Sequence, residues 1–116
     1  MCHVLIIEDE PLIALDVADV LTDHGALSFS FADNEGDAID AADQRVPDFI
    51  VSDVSLRAGT GPQAVAKIRA SHGIIPVIFV TATPDAEFQR DPPSNVFRKP
   101  MDRRAIGATF HTMAFG

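Results

Sequence analysis

Three short apolar runs, HVLII (3–7), DFIVSD (48–53) and IIPVIFV (74–80), are continuous and rich in β-branched residues. A strand with one wet face alternates polar with apolar residues. Unbroken runs of this length belong to strands covered on both sides. Such strands need a second layer on each face of their sheet. Two weaker runs complete the set. ALSFSFA (26–32) sets Leu27, Phe29 and Phe31 against Ser28 and Ser30, as a half-exposed or edge strand does, and NVFR (95–98) is short.

Helical patterns fill the gaps. Pro11 stands where a first turn tolerates it, with Leu12, Leu15, Val20 and Leu21 expected on one face and Gly25 as the stop. Asn34 is placed to cap residues 35–45, whose stripe is Ala38, Ile39 and Ala42 before Pro47. Gly61-Pro62 opens a third helix, with Ala64, Val65 and Ile68 inward and Gly73 at its end. Thr83-Pro84 opens a short fourth, cut off by Asp91-Pro92-Pro93. Asp102 caps a fifth, reaching about residue 114, with Ile106, Phe110 and Met113 on one side. Strand and helix thus alternate five times. The pattern predicts an α/β fold, a (βα)5 doubly wound sheet of five parallel strands. Its functional residues are expected where the strands end, near the reversal of strand order.

Composition narrows the setting. The 116 residues fit one domain, expected to span 1–116 and to leave no room in this sequence for an output domain. No apolar run approaches a membrane span, and MCHVLIIEDE lacks a secretory signal. The single cysteine, Cys2, suits a reducing, cytoplasmic setting. Residues 1–44 hold eleven acidic residues and no Lys or Arg, whereas 45–116 hold six acidic and nine basic, so the halves carry −11 and +3. That balance speaks against nucleic-acid binding and favours attraction of cations or a basic partner.

The strand ends carry chemistry. The first closes on Glu8-Asp9, the third on Asp53, the fourth on Thr81 and the fifth on Lys99-Pro100. Three carboxylates meeting in one crevice call for a cation, and oxygen-only donors select a hard one such as Mg²⁺. A carboxylate can attack phosphorus, while a metal, an ammonium and a hydroxyl neutralise the phosphoryl oxygens. Glu10, third in the acidic triplet, is read as a residue facing the positive end of the first helix. His3, His24, His72 and His111 show no ligand spacing.

In this order, VLIIEDEP, VSDVSL with Gly61 eight residues after Asp53, PVIFVTA and FRKP resemble a response-regulator receiver (CheY-like) domain over essentially the whole chain. The resemblance implies a flavodoxin-like sheet in the order 2-1-3-4-5. It implies that Asp53 is the phosphoacceptor, that Asp9 binds Mg²⁺ directly and Glu8 through water, and that the Ser55 carbonyl completes the protein ligands. Thr81 would hydrogen-bond the phosphoryl group, and Lys99 would pair with the acceptor or its phosphate across a cis Lys99–Pro100 bond. The implied donor is a sensor histidine kinase or a histidine phosphotransfer protein docking largely on the first helix. An unknown downstream protein would read the signal, from a monomer or weak dimer.

Three positions depart from the family pattern. Arg57 replaces the usual proline four residues after the acceptor, in the loop LRAGTG; the Thr81-to-Lys99 segment is about one helical turn short; and Val96 stands where an aromatic switch residue is usual, beside Phe97. Output is therefore expected to use a surface other than the fourth-helix, fifth-strand, fifth-helix face, or a smaller loop rearrangement. Two alternatives compete. One is a pseudo-receiver that binds partners without phosphorylation. The other is a phosphatase or phosphotransferase with an Asp nucleophile, which Asp53-Val54-Ser55 disfavours by lacking a second acid two residues on. Flavin binding is disfavoured by the anionic first turn, EDEPL.

Overall fold

A computed structural model of the chain describes residues 2–82, 88 and 90–116. Five parallel strands, β1 (His3–Ile7), β2 (Ser28–Ala32), β3 (Phe49–Asp53), β4 (Val77–Thr81) and β5 (Ser94–Arg98), form one sheet in the order β2-β1-β3-β4-β5. The helices are α1 (Pro11–Asp23), α2 (Glu35–Gln44), α3 (Gly61–His72) and α4 (Arg103–Phe115), so α4 is the helix expected after Asp102. The short helix expected to open at Thr83-Pro84 lies outside the described residues. Among the described residues, no helix is long and apolar enough to cross a membrane.

The continuous runs are explained by two cores, one on each face of the sheet. Val4, Ile6, Phe49, Val51, Ile78 and Val80 point toward α1 and α4, and Leu5, Ile7, Ile50, Val77 and Phe79 toward α2 and α3. Phe110 of α4 meets Phe49 edge-on, with ring centroids 4.9 Å apart. A side chain buried this completely contributes roughly 2–3 kcal/mol through removal of apolar surface from water. β2 is an edge strand, as its alternation predicts: Phe29 packs on the α1 core while Phe31 is half exposed.

The helix caps follow the sequence closely. Asn34 Oδ1 accepts the Asp37 N–H at 2.8 Å, and Asp102 Oδ1 accepts the Ala105 N–H at 3.1 Å. Ahead of Gly61-Pro62, the α3 cap is Thr60, whose hydroxyl accepts the Gln63 N–H at 3.3 Å.

The apolar face expected on α1 needs correction. Its buried line is Ala14, Val17, Val20 and Leu21, whereas Leu12 and Leu15 are 81% and 59% exposed. Each helical residue turns the side chain by about 100°, so Leu12 lies roughly 200° from Ala14, and Leu15 equally far from Val17. The sheet receives the line that begins with small Ala14, and the two leucines face outward.

Arg69 closes the opposite end of the sheet. Its guanidinium donates to the carbonyls of Ile75 (2.8 and 3.0 Å), Asp91 (2.7 Å) and Pro93 (2.9 Å), fastening the approach to β5 onto the end of α3.

Candidate phosphoacceptor site

The parallel register sets the strand ends level. Ile7 pairs with Ala32 and Ser52, Asp53 with Val80, and Thr81 with Arg98. Residues that close the strands are therefore brought to one edge. Glu8 extends the β1 ladder by donating its N–H to the Ala32 carbonyl at 2.9 Å, which turns its side chain inward until only 5% is exposed. Asp53, the last residue of β3, is buried as well.

Between these two carboxylates sits Lys99. Its Nζ donates to Asp53 Oδ2 at 3.0 Å and lies 3.4 Å from Glu8 Oε1. The Lys99–Asp53 contact is the pairing with the acceptor that the resemblance implies, and the same ammonium also reaches Glu8. Lys99 is aimed from the backbone, where its N–H donates to the Thr81 carbonyl at 2.9 Å, and the Lys99–Pro100 bond is cis. Thr81 itself is buried at the end of β4.

Burial and the crowding of two carboxylates shape the electrostatics of the site. The Glu8 carboxyl is pushed up to about 7, first by burial and then by the negative charge of Asp53, with the Glu10 N–H (3.2 Å) and Lys99 opposing the rise. For Lys99, burial works to lower the pKa, but the Asp53 hydrogen bond and the charges of Asp53 and Glu8 outweigh it and hold the ammonium above its usual value. Carboxylate oxygens of Glu8, Asp9 and Glu10 lie within 4.8 Å of one another, and Asp9 is half-buried. Glu10 occupies the N-cap position of α1 and is exposed, which places it at the helix start as its sequence context suggests.

Ser55 is exposed, and its N–H meets Asp53 Oδ1 at a long 3.4 Å. The loop it begins returns to α3 through an antiparallel bridge between Ser55 and Thr60. Val96 packs toward the α2–α3 core and Phe97 toward the α1–α4 core, so the aromatic ring faces away from the side on which Val96 sits.

This fold, with its part-buried aspartate–lysine pair beside an acidic turn, defines a class. The chain belongs to the response regulator receiver domain family, whose model matches residues 4–107. It is 35% identical to the transcriptional regulatory protein PdtaR of Mycobacterium tuberculosis, over 69% of this chain and 38% of that protein. It is 31% identical to the phyllosphere-induced regulator PhyR of Methylorubrum extorquens, over 97% of this chain and 43% of that protein. The chain thus spans less than half the length of either relative. The solution structure of the PhyR response regulator REC domain from Erythrobacter litoralis superposes with a TM-score of 0.86 at 30% identity, covering 98% of this chain and 90% of that one.

Proposed function

We propose that this receiver domain accepts a phosphoryl group on Asp53 from a histidine kinase or histidine phosphotransfer protein, in a reaction that depends on Mg²⁺. The observation that carries the reading is the Asp53–Lys99 contact at 3.0 Å, placed at the strand-end edge with Glu8 and Asp9 beside it.

The donor set fits a divalent ion. Glu8 and Asp53 share one ammonium and Asp9 stands next to Glu8, so three hard oxygen donors of negative charge gather with a single positive group among them. Asp9 and Asp53 would hold Mg²⁺ with the Ser55 carbonyl, and Glu8 would act from beside them. When bound, the ion supplies neutralisation of phosphoryl oxygens. A carboxylate oxygen of Asp53 forms a bond to phosphorus as the P–N bond of the donor phosphohistidine breaks, and the bonding pair returns to the imidazole nitrogen. Lys99 then gives up part of its contact with Asp53 to a phosphoryl oxygen. Thr81, one strand away, presents its hydroxyl to another. Asp53 is consumed as an acceptor and regenerated by hydrolysis, so the domain is a regulatory phosphoacceptor that assists its own phosphorylation and dephosphorylation.

Mass spectrometry after incubation with acetyl phosphate, with and without Mg²⁺, tests this. One phosphoryl adduct is expected, dependent on Mg²⁺ and absent in Asp53→Asn. An adduct that persists in that variant, or none on the wild type, overturns the reading in favour of a phosphorylation-independent binding module.

A further inference from the structure

A second charged cluster lies behind the loop that follows Asp53. We propose that Glu35 is a positioning residue for that aspartate: it holds the backbone of residues 54–60 so that Ser55 stays turned toward the Asp53 carboxylate. The proposal rests on the phosphoacceptor reading above and adds a residue to it.

Glu35 is the first residue of α2, and its side chain is 15% exposed. It grips the loop at two points. Its own N–H donates to the Ala58 carbonyl at 3.1 Å, and its Oε1 accepts the Thr60 N–H at 3.3 Å. Between those points the loop lies flush on the side chain. A Cβ at Gly59 would fall 2.5 Å from Glu35 Cβ and 2.6 Å from Oε1, and Gly59 has φ +79°, which suits glycine. From Thr60 the restraint passes to Ser55 through the antiparallel bridge, and Ser55 donates to Asp53.

The loop needs such a restraint because Arg57 occupies a position where a proline would have stiffened the chain. Lys67 completes the arrangement by donating to Glu35 Oε2 at 2.6 Å. That bond holds the Glu35 carboxyl below its usual range, so it is an ionised acceptor at neutral pH. Lys67 is itself 60% exposed, and a solvated pair of this kind contributes little to global stability. The arrangement is therefore suited to placing a loop.

Three measurements on the full chain test the proposal: amide exchange by NMR, the Mg²⁺ concentration giving half-maximal labelling by acetyl phosphate, and Tm. In Glu35→Ala, the Ser55 and Thr60 amides are expected to exchange about tenfold faster, as for loss of a charge-assisted hydrogen bond. The Mg²⁺ requirement should rise several-fold, with Tm nearly unchanged. Glu35→Gln keeps an acceptor for the Thr60 N–H and is expected to recover most of both. Wild-type exchange and Mg²⁺ requirement in Glu35→Ala would overturn the proposal, and so would a Gln variant as impaired as the Ala variant. A wild type that takes no label overturns the phosphoacceptor reading instead. The exchange comparison uses no phosphodonor, so it still decides whether Glu35 holds the loop.

Discussion

Gly61→Ala is the sharpest single perturbation of the site's scaffold. A Cβ on Gly61 would lie 1.8 Å from the Asp53 carbonyl oxygen and 2.3 Å from Ser52 Oγ, where real contacts do not fall below 3.0 Å. Ser52 has no easy retreat, because its hydroxyl is buried and donates to that same Asp53 carbonyl at 2.8 Å. The start of α3 must therefore back away by about 1 Å, and the buried Pro62 that follows resists the movement. Backing away also stretches the Gly61 N–H···Val54 carbonyl bond, now 3.0 Å. Overpacking costs about 1–3 kcal/mol and the lost hydrogen bond about 1 kcal/mol more. Better helix propensity of alanine returns less than about 1 kcal/mol at a helix end. The net expectation is a loss of about 2–3 kcal/mol, or a Tm lower by about 10 °C for a chain of this size. Urea unfolding with an unchanged m-value is the assay. Gly36→Ala is the control, because the nearest atom to its added Cβ is Asn34 Oδ1 at 3.5 Å, an ordinary contact. A Gly61→Ala protein as stable as Gly36→Ala would refute the close-approach argument.

Other outcomes follow from the same geometry. His3 is buried with ring nitrogens 2.8 and 2.7 Å from the Ser28 and Ser30 hydroxyls, and its pKa is held low by burial first and then by Arg45. A histidine depressed in the fold contributes stability above its unfolded pKa of about 6.5 and loses it as pH falls toward the folded value. Urea midpoints of the wild type should therefore fall further than those of His3→Gln between about pH 7.5 and pH 5.5. Arg69→Lys cannot reproduce a planar fork that reaches three carbonyls, and we expect a loss of about 2 kcal/mol in thermal melts. Mg²⁺ at a hundred times its dissociation constant should stabilise the wild type by about 2.7 kcal/mol, and Asp9→Asn much less, read by Tm against Mg²⁺ concentration. Because the ring of Phe97 faces the α1–α4 core and Val96 stands where the family pattern has an aromatic, light scattering after treatment with a phosphate mimic should show no dimer.

Much of this was legible in the chain. Unbroken runs such as FIVSD demanded two covered faces, and the sheet indeed carries a core on each side of Val51 and Ile50. Asp53 and Lys99, 46 residues apart, are legible because one closes an apolar run and the other directly follows one. The α1 face was misread because hydrophobicity alone favoured the larger Leu12 and Leu15, while packing against the sheet favoured small Ala14. Glu8's direct reach to Lys99 is not legible in the sequence, because it depends on one extra ladder bond beyond β1. The Glu35–Lys67 contact spans 32 residues and two helices, with no periodicity to announce it.

The strand order has a further consequence. Because β1 and β2 lie together at one end of the sheet, with α1 and α2 following them, the segment of residues 1–44 with its charge of −11 occupies one flank, and the described residues of 45–116, with nine basic and four acidic side chains and so +5, the other. A charge gradient along the chain has become an electric dipole across a body only 31 × 29 × 26 Å in extent. Such a body turns in the field of a charged partner before any contact forms, within a Debye length of about 8 Å at physiological salt. Added salt should therefore slow its encounters more than it weakens the complexes that result.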